Sequence, residues 1–466
     1  MEHSVDNIFS EIGFGKYQIS VFLSTGFAFF CSGYQIMCYS VLLPFFIDKW
    51  KISYFSQCYI ISAEHLGYTL GSLFVSLYGE KYGRKKPLIL GSFIWCLMGL
   101  FSMMTENLFF YIFFRFAIGF LDKFVLLYVY TIMTEYLPTK YRGKLTNLVD
   151  IFYGLGNVLA VVIGYFFIES NWRIIIFTSV IVNSLLLIYF IYYIDESVRY
   201  EIIIGDFQSA SNIIEKIAQI NGYDRIPYFS AHKKEKFLNN CKKTQQIILD
   251  KYAHDKSLFI SMKRIFSGKF KLITILLSFF WLGNILSSFG ILNLLPIILS
   301  KMGSDEKSLL SILGPVSLQI PSCIVASAIV DMKGLGRRNP LIISSVVIGI
   351  AAILIYLKVW PGLIFYLSLM MFFHSINFMI KWIYTSELYP TPIRMQGLGF
   401  CNFFGRSSGI AMPFIGLFLL EINYLFPFLF FGLSTMIGGL GLLALKYETR
   451  DMELDGMLLS GELSPL

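Results

Sequence analysis

The sequence predicts an all-α membrane protein, with twelve transmembrane helices in two pseudo-symmetric six-helix bundles. Three observations carry this. Of the 466 residues, 56% are hydrophobic and 15% charged, with a mean hydropathy of +0.66; soluble domains run at about 25% charged. Twelve apolar stretches are long enough for a hydrocarbon core of about 30 Å, which needs about 20 helical residues. One motif also recurs. Glu135-Tyr-Leu-Pro138-Thr-Lys-Tyr-Arg142 returns as Glu387-Leu-Tyr-Pro390-Thr-Pro-Ile-Arg394, each fixed residue displaced by 252 positions. Gly83-Arg84-Lys85 and Gly336-Arg337-Arg338 repeat at a displacement of 253. Two motifs sharing nearly one displacement make the chain a duplication.

The elements follow in order. Residues 1–18 form a polar N-terminus without the apolar region of a signal peptide. The first bundle occupies 19–194, with spans near 19–47, 56–78, 87–105, 108–134, 145–168 and 172–194. A polar segment, 195–270, follows. The second bundle occupies 271–446, with spans near 271–299, 308–330, 339–358, 361–386, 397–421 and 424–446, and 447–466 is a polar tail. Helices are expected because only helices and closed barrels satisfy the backbone in lipid, and the alternation of barrel strands is absent. Within 195–270, the stretch from Asp206 reads as an amphipathic helix with Ile213, Ile217 and Ile220 on one face. It is expected to lie on the membrane face of the molecule.

Basic residues set the orientation. Lys81, Arg84, Lys85 and Lys86 follow the second span; Lys140, Arg142 and Lys144 follow the fourth. Lys333, Arg337 and Arg338 follow the eighth, and Arg394 the tenth. Cytoplasmic loops carry such an excess, so both termini are expected in the cytoplasm of a plasma-membrane or vesicle-membrane protein. The net charge of +8 lies in clusters between apolar runs and is no signal for nucleic acid. The seven cysteines include no CxxC and no His/Cys cluster, so neither a metal site nor a disulfide framework is expected. No P-loop and no nucleophile–base constellation appears, so the expectation is a non-enzyme without cofactor. The tail's Leu458-Leu459 lacks an acid four residues before it, an imperfect sorting signal.

A carboxylate at a helix C-terminus is disfavoured by about 0.3–1 kcal/mol without a nearby cation. Glu135 and Glu387 therefore need partners, and neighbouring turns supply them. The expected networks are Glu80, Arg84, Glu135 and Arg142 in one half, and Asp331, Arg337, Glu387 and Arg394 in the other. Exposed ion pairs contribute about 0–1 kcal/mol each, so such networks would tune an equilibrium as latches.

The turn Glu80-Lys-Tyr-Gly83-Arg84-Lys85-Lys86, Arg115-x-x-x-Gly119, the twin E-x-x-P-x-x-x-R motifs and the six-plus-six layout resemble the major facilitator superfamily. Ile12-Gly13-Phe14-Gly15-Lys16-Tyr17-Gln18 and Glu196-Ser197-Val198-Arg199-Tyr200 are similar to its synaptic-vesicle-protein-related branch, which neighbours niacin-type permeases and organic ion transporters. The resemblance covers nearly the whole chain. It implies a transporter that moves a small organic solute by alternating access, the halves rocking about a central site. A proton or sodium ion is a candidate co-substrate on the same resemblance. Span 1 departs from the pattern: Ser32 and Gln35 stand where relatives look acidic, so the acids that the resemblance implies as proton or cation sites are absent there. A receptor or trafficking protein built on the same fold, binding without flux, is the alternative.

Ionisable residues within the hydrocarbon zone cost about 2.5–3.5 kcal/mol on insertion scales, so each is a site candidate. Arg406 lies near mid-depth at 1.5 Å per residue, with Asn402 one turn earlier on the same face. Related anion transporters carry arginine at the matching position. This implies an organic anion or zwitterion; a structural arginine paired with a carboxylate is the competing reading. Glu64 is expected at the depth of Arg406, as its partner. Lys123 is a candidate for a substrate carboxylate; its neighbour Asp122 is expected to need a separate partner. Gln35 completes the candidate set: Arg406, Asn402, Glu64, Lys123 and Gln35. His65 is expected to be a core group, Asp150 a member of the inner charge network, and Lys381 to snorkel toward the membrane edge. Tyr34, Trp281 and Trp382 are candidates for stacking on an aromatic solute.

Overall fold

Apolar runs become helices because lipid leaves the backbone no other partner than itself. The structure, a computed structural model, describes residues 5–78, 82–222, 264–268, 270–301, 307–330, 332, 335–360, 362–389, 393–445 and 448–449. After a short α1 (Val5–Ile12), the first half comprises α2 (Lys16–Trp50), α3 (Tyr54–Tyr78), α4 (Lys85–Met104) and α5 (Leu108–Tyr136). It continues with α6 (Thr139–Leu148), which runs into α7 (Asp150–Asn171), and α8 (Arg173–Tyr193). Two short helices follow, α9 (Val198–Ile204) and α10 (Phe207–Ile220). The second half comprises α11 (Phe270–Lys301), α12 (Lys307–Ser317), α13 (Gln319–Val330), α14 (Arg338–Tyr356), α15 (Leu363–Leu388), α16 (Arg394–Ile422) and α17 (Phe426–Gly441). Ten helical segments among the described residues are long and apolar enough to cross a membrane. With α3 and α5, of similar length, the spans number twelve.

The halves repeat one packing scheme. In the first, α2 packs on α7, α3 on α5, and α4 on α5 and α8; in the second, α11 packs on α16, α12 and α13 on α15, and α14 on α15 and α17. Across the divide, α2 meets α11, α3 meets α16, and α7 meets α12 and α13. The α2–α7 contact is backbone against backbone. A Cβ on Gly33 would stand 2.2 Å from the Tyr153 carbonyl oxygen, and one on Gly156 2.1 Å from that of Phe30. Small residues permit this approach, which drives helix association where lipid removes the hydrophobic incentive.

Two expectations about helices need correction. The eighth span, expected unbroken over 308–330, divides at Leu318 into α12 and α13. Pro321 has no N–H for the Ser317 carbonyl, and its ring crowds that carbonyl. The amphipathic helix exists as α10, but its buried face is Ala210, Ile214, Ile217 and Ala218, while Ile220 is exposed. α10 packs over the start of α2. Asn221 accepts from Tyr17 N (3.0 Å) and donates to Gln18 Oε1 (2.8 Å), and Lys216 pairs with Asp195 at 2.8 Å.

Candidate solute site and its charged surroundings

The repeated motifs meet at one end of each half, here called the basic face. Arg84 Nη2 lies 3.5 Å from Glu135 Oε1, and Arg337 pairs with Glu387. Both pairs stay within one half. Arg394 Nε donates to the Tyr389 carbonyl at 3.2 Å. Glu80, Asp331 and the Arg142 side chain lie outside what the structure describes.

Each motif has a further member that the sequence reading missed. Glu196 accepts from the backbone N–H of Arg84 (2.8 Å) and Lys85 (3.1 Å), at the start of α4. Glu448 accepts from Arg337 N (2.6 Å) and Arg338 N (3.2 Å), at the start of α14. Helix N-termini carry orphan donors and partial positive charge, so a carboxylate is well placed there. The preceding Gly83 and Gly336 hold φ of +77° and +67°, which favours glycine. Glu196 and Glu448 are also 252 positions apart; that spacing was the available signal. Glu201, on α9, has its carboxyl raised above the usual range by burial first, then by Asp206 and Glu196. Glu448→Ala is expected to lower stability by about 1–3 kcal/mol through two lost charge-assisted bonds, read as a lower thermal midpoint in detergent, with Glu448→Gln in between.

Buried charge in the first half is gathered by α2, α3 and α5. Arg115 pairs with Glu64, and both are almost wholly buried. The Tyr68 hydroxyl donates to Glu64 Oε1 at 2.7 Å, and the Arg115 guanidinium lies 3.4 Å from the Tyr39 ring centroid. Lys123 Nζ is 3.0 Å from Asp122 Oδ2 and 3.3 Å from Ser32 Oγ, and Ser32 donates to Asp122 Oδ2 at 3.0 Å. These findings revise two expectations. Glu64 is the partner of Arg115, not Arg406, because α5 presents its guanidinium directly beside α3. Asp122 and Lys123 do pair although adjacent, because the flexible lysine stem curls back where the helix backbone alone would not bring the groups together.

The second half is less neutralised. Lys381, fully buried on α15, donates to Asn284 Oδ1 at 2.7 Å and lies 4.6 Å from the Trp281 ring and 4.5 Å from the Phe378 ring. It does not snorkel; its ammonium group is held by Asn284 and Trp281 of α11. His374 meets Ser287 Oγ at 2.8 Å. Arg406 Nε donates to Asn402 Oδ1 at 3.0 Å, and among the described residues no carboxylate lies within ion-pair distance of Arg406 or Lys381.

Between the halves lies a cavity of about 240 Å³. Its charged lining is Lys123, Asp150 and Arg406; Asn402, Gln319 and His374 add polar atoms, and Phe29, Tyr153, Phe289, Phe378 and Trp382 add rings. It reaches Thr146 and Asn147 near the basic face. Toward the opposite face the halves are bonded: Tyr54 OH to Phe414 O (2.8 Å), Ser62 Oγ to Ile410 O (2.7 Å) and Ser40 Oγ to Asn293 Oδ1 (2.9 Å). At mid-depth, Asn157 donates to Gln319 at 3.0 Å.

Of the five candidate residues, Arg406, Asn402 and Lys123 line this cavity. Glu64 lies behind it, and Gln35 turns away to accept from Ser179 of α8. Asp150, expected in the inner network, lines the cavity instead, because it stands in the first turn of α7, the helix that meets α12 and α13 across the divide. His65 is buried between halves, against Phe289 and 3.4 Å from Asn293 Nδ2. Of the candidate aromatic residues, Trp382 lines the cavity, while Tyr34 and Trp281 are buried and bonded to Ile175 O and Thr385.

The profile of the family described as Major Facilitator Superfamily matches residues 25–380. The synaptic vesicle 2-related protein of Bos taurus is 26% identical over 96% of this chain and 81% of its own length. The niacin transporter NiaP of Acinetobacter baylyi is 25% identical over 86% of this chain and 87% of its own. Among solved structures, the proton:xylose symporter XylE bound to 6-bromo-6-deoxy-D-glucose superposes with a TM-score of 0.72 at 16% identity, covering 95% of this chain and 99% of that one.

Proposed function

The chain belongs to the major facilitator superfamily, and from that premise we propose that it carries a small organic anion or zwitterion across a membrane by alternating access. One observation carries the reading: Arg406 faces the cavity between the halves with an amide, and no described carboxylate, at its guanidinium. The charges around the cavity support it. Among the described residues, Arg115, Lys123, Lys381 and Arg406 stand against Glu64, Asp122 and Asp150, one cation in excess. A carboxylate solute would balance that excess, and the rings of Phe289, Phe378 and Trp382 suit a planar apolar body. The niacin transporter relative is consistent with such a solute.

The cluster of basic turns argues for a cytoplasmic basic face and cytoplasmic termini. On that orientation the cavity reaches toward the inner side, and the halves are bonded to each other toward the outer side. The synaptic vesicle 2-related proteins among the relatives make a vesicle membrane one candidate location.

Uptake into proteoliposomes tests the reading. Radiolabelled nicotinate, benzoate and succinate are expected to accumulate above empty liposomes, and tetraethylammonium and glucose are not. Arg406→Ala is expected to cut anion uptake about 10–100-fold, the equivalent of the 1.5–3 kcal/mol of a charge-assisted bond. Normal anion uptake by that variant removes the argument. Anion binding without flux favours a receptor instead.

A further inference from the structure

Asp122 is fully buried, and only one of its carboxylate oxygens is used. Oδ2 holds Lys123 and Ser32; Oδ1 has no partner. Glu64, the other buried carboxylate of this half, has both oxygens engaged, by Arg115 and Tyr68. The cation on Asp122 is also the one a solute can reach. Lys123 lines the cavity, while Asp122 does not.

These two facts make the pair exchangeable. An anion seated between Lys123 and Arg406 competes with Asp122 for the ammonium group. If Lys123 moves to the solute, Asp122 is left as a buried carboxylate with Ser32 alone, a state that low dielectric strongly disfavours. Taking a proton removes that charge, and Oδ1 is free to bear it. Resting on the reading of Arg406 as an anion site, we propose that Asp122 is the proton-coupling group of this transporter, released from Lys123 by the incoming anion.

The charges balance. Lys123 keeps its three protons throughout. Asp122 takes one proton from water that follows as Lys123 moves away, and its lost negative charge is replaced by that of the solute beside Lys123. One monoanion and one proton therefore cross together, and the step is electroneutral. The groups that face Asp122 are compatible with this. From α2 come Cys31 and Ser32, from α3 Glu64 and Tyr68, from α7 Tyr153, from α16 Arg406, and from its own helix Lys123. Glu64 is held by Arg115, so Lys123 and Arg406 are the cations left to respond to a solute. The repeat also singles out this position: 252 residues on, Asp122 and Lys123 become His374 and Ser375, which line the cavity from the other half. The coupling pair has no acidic counterpart there.

Purified full-length protein in weakly buffered detergent with a pH-indicator dye gives the direct test. Adding nicotinate or benzoate is expected to draw about one proton per anion bound, and apparent affinity is expected to rise by up to about tenfold per unit fall in pH. Asp122→Asn is expected to bind anion without proton uptake and with a flat pH profile, and Asp122→Glu to restore both. Wild-type binding with no proton uptake overturns the proposal and leaves the anion reading standing, as does proton uptake that persists in Asp122→Asn. Absence of binding and uptake for both anions overturns the anion reading and this proposal together. Should Asp122→Asn not fold, Asp122→Ser takes its place in the same proton count, with the same two outcomes.

Discussion

Replacing Glu64 with alanine is expected to destabilise the protein by about 3–5 kcal/mol, the range found when one partner of a buried ion pair is removed. Arg115 is the reason. Its guanidinium is buried against the Tyr39 ring, and Glu64 is its acidic partner among the described residues. Two of its nitrogens, Nε and Nη1, already lack partners. Without Glu64 the charge remains and its compensation does not. A thermal melt in detergent reads the loss. The pair variant Glu64→Leu with Arg115→Met is expected to recover most of it, since an apolar pair of similar volume leaves no charge to solvate. If the single variant melts with wild type, the pair is not structural in the way described. If the pair variant falls as far as the single, packing rather than charge sets the effect.

The second large effect is expected at the α2–α7 contact. Gly33→Val and Gly156→Val each place a side chain against a carbonyl oxygen of the facing helix, at a point where even a Cβ stands near 2.2 Å. Overpacking usually costs about 1–3 kcal/mol, and more where the obstacle is backbone and cannot turn aside. Little monodisperse protein is expected from either variant by size-exclusion chromatography. Gly399 provides the control, because nothing lies within 4 Å of its would-be Cβ, and Gly399→Ala should elute as wild type. Equal behaviour of all three would mean that α2 and α7 do not approach as closely as described.

The twelve-span architecture was legible because lipid imposes one period and one length, and both survive in any single stretch of sequence. Fold-level pairing was legible through the displacement of Glu135 and Arg142 onto Glu387 and Arg394. Pairing inside the core was not. Depth alone matches Glu64 to Arg406, yet Arg115 stands 51 positions from Glu64 and takes it, because α3 and α5 lie side by side within one half. Depth orders residues along the membrane normal and leaves the two lateral directions undetermined. Lys381 shows the same limit, since its partner Asn284 is 97 positions away on α11. At Asp122-Lys123 the error was of another kind. The rule that neighbours on a helix diverge holds for their Cβ atoms, and a four-carbon stem is long enough to undo it. The register of α10 slipped because Ile213 and Ile214 both fit an apolar stripe, and only packing decides which turns in.

Glu196 and Glu448 bear on what was copied when the chain doubled. Each lies beyond the last membrane helix of its half and reaches back to the first turn of that half's third helix. A unit cut at the membrane edge would have lost its clasp. The repeated unit therefore extends past the last membrane helix of each half, to Glu196 and Glu448. Each module fastens its own end to its own middle, and in the first module α10 adds a second fastening over the start of α2.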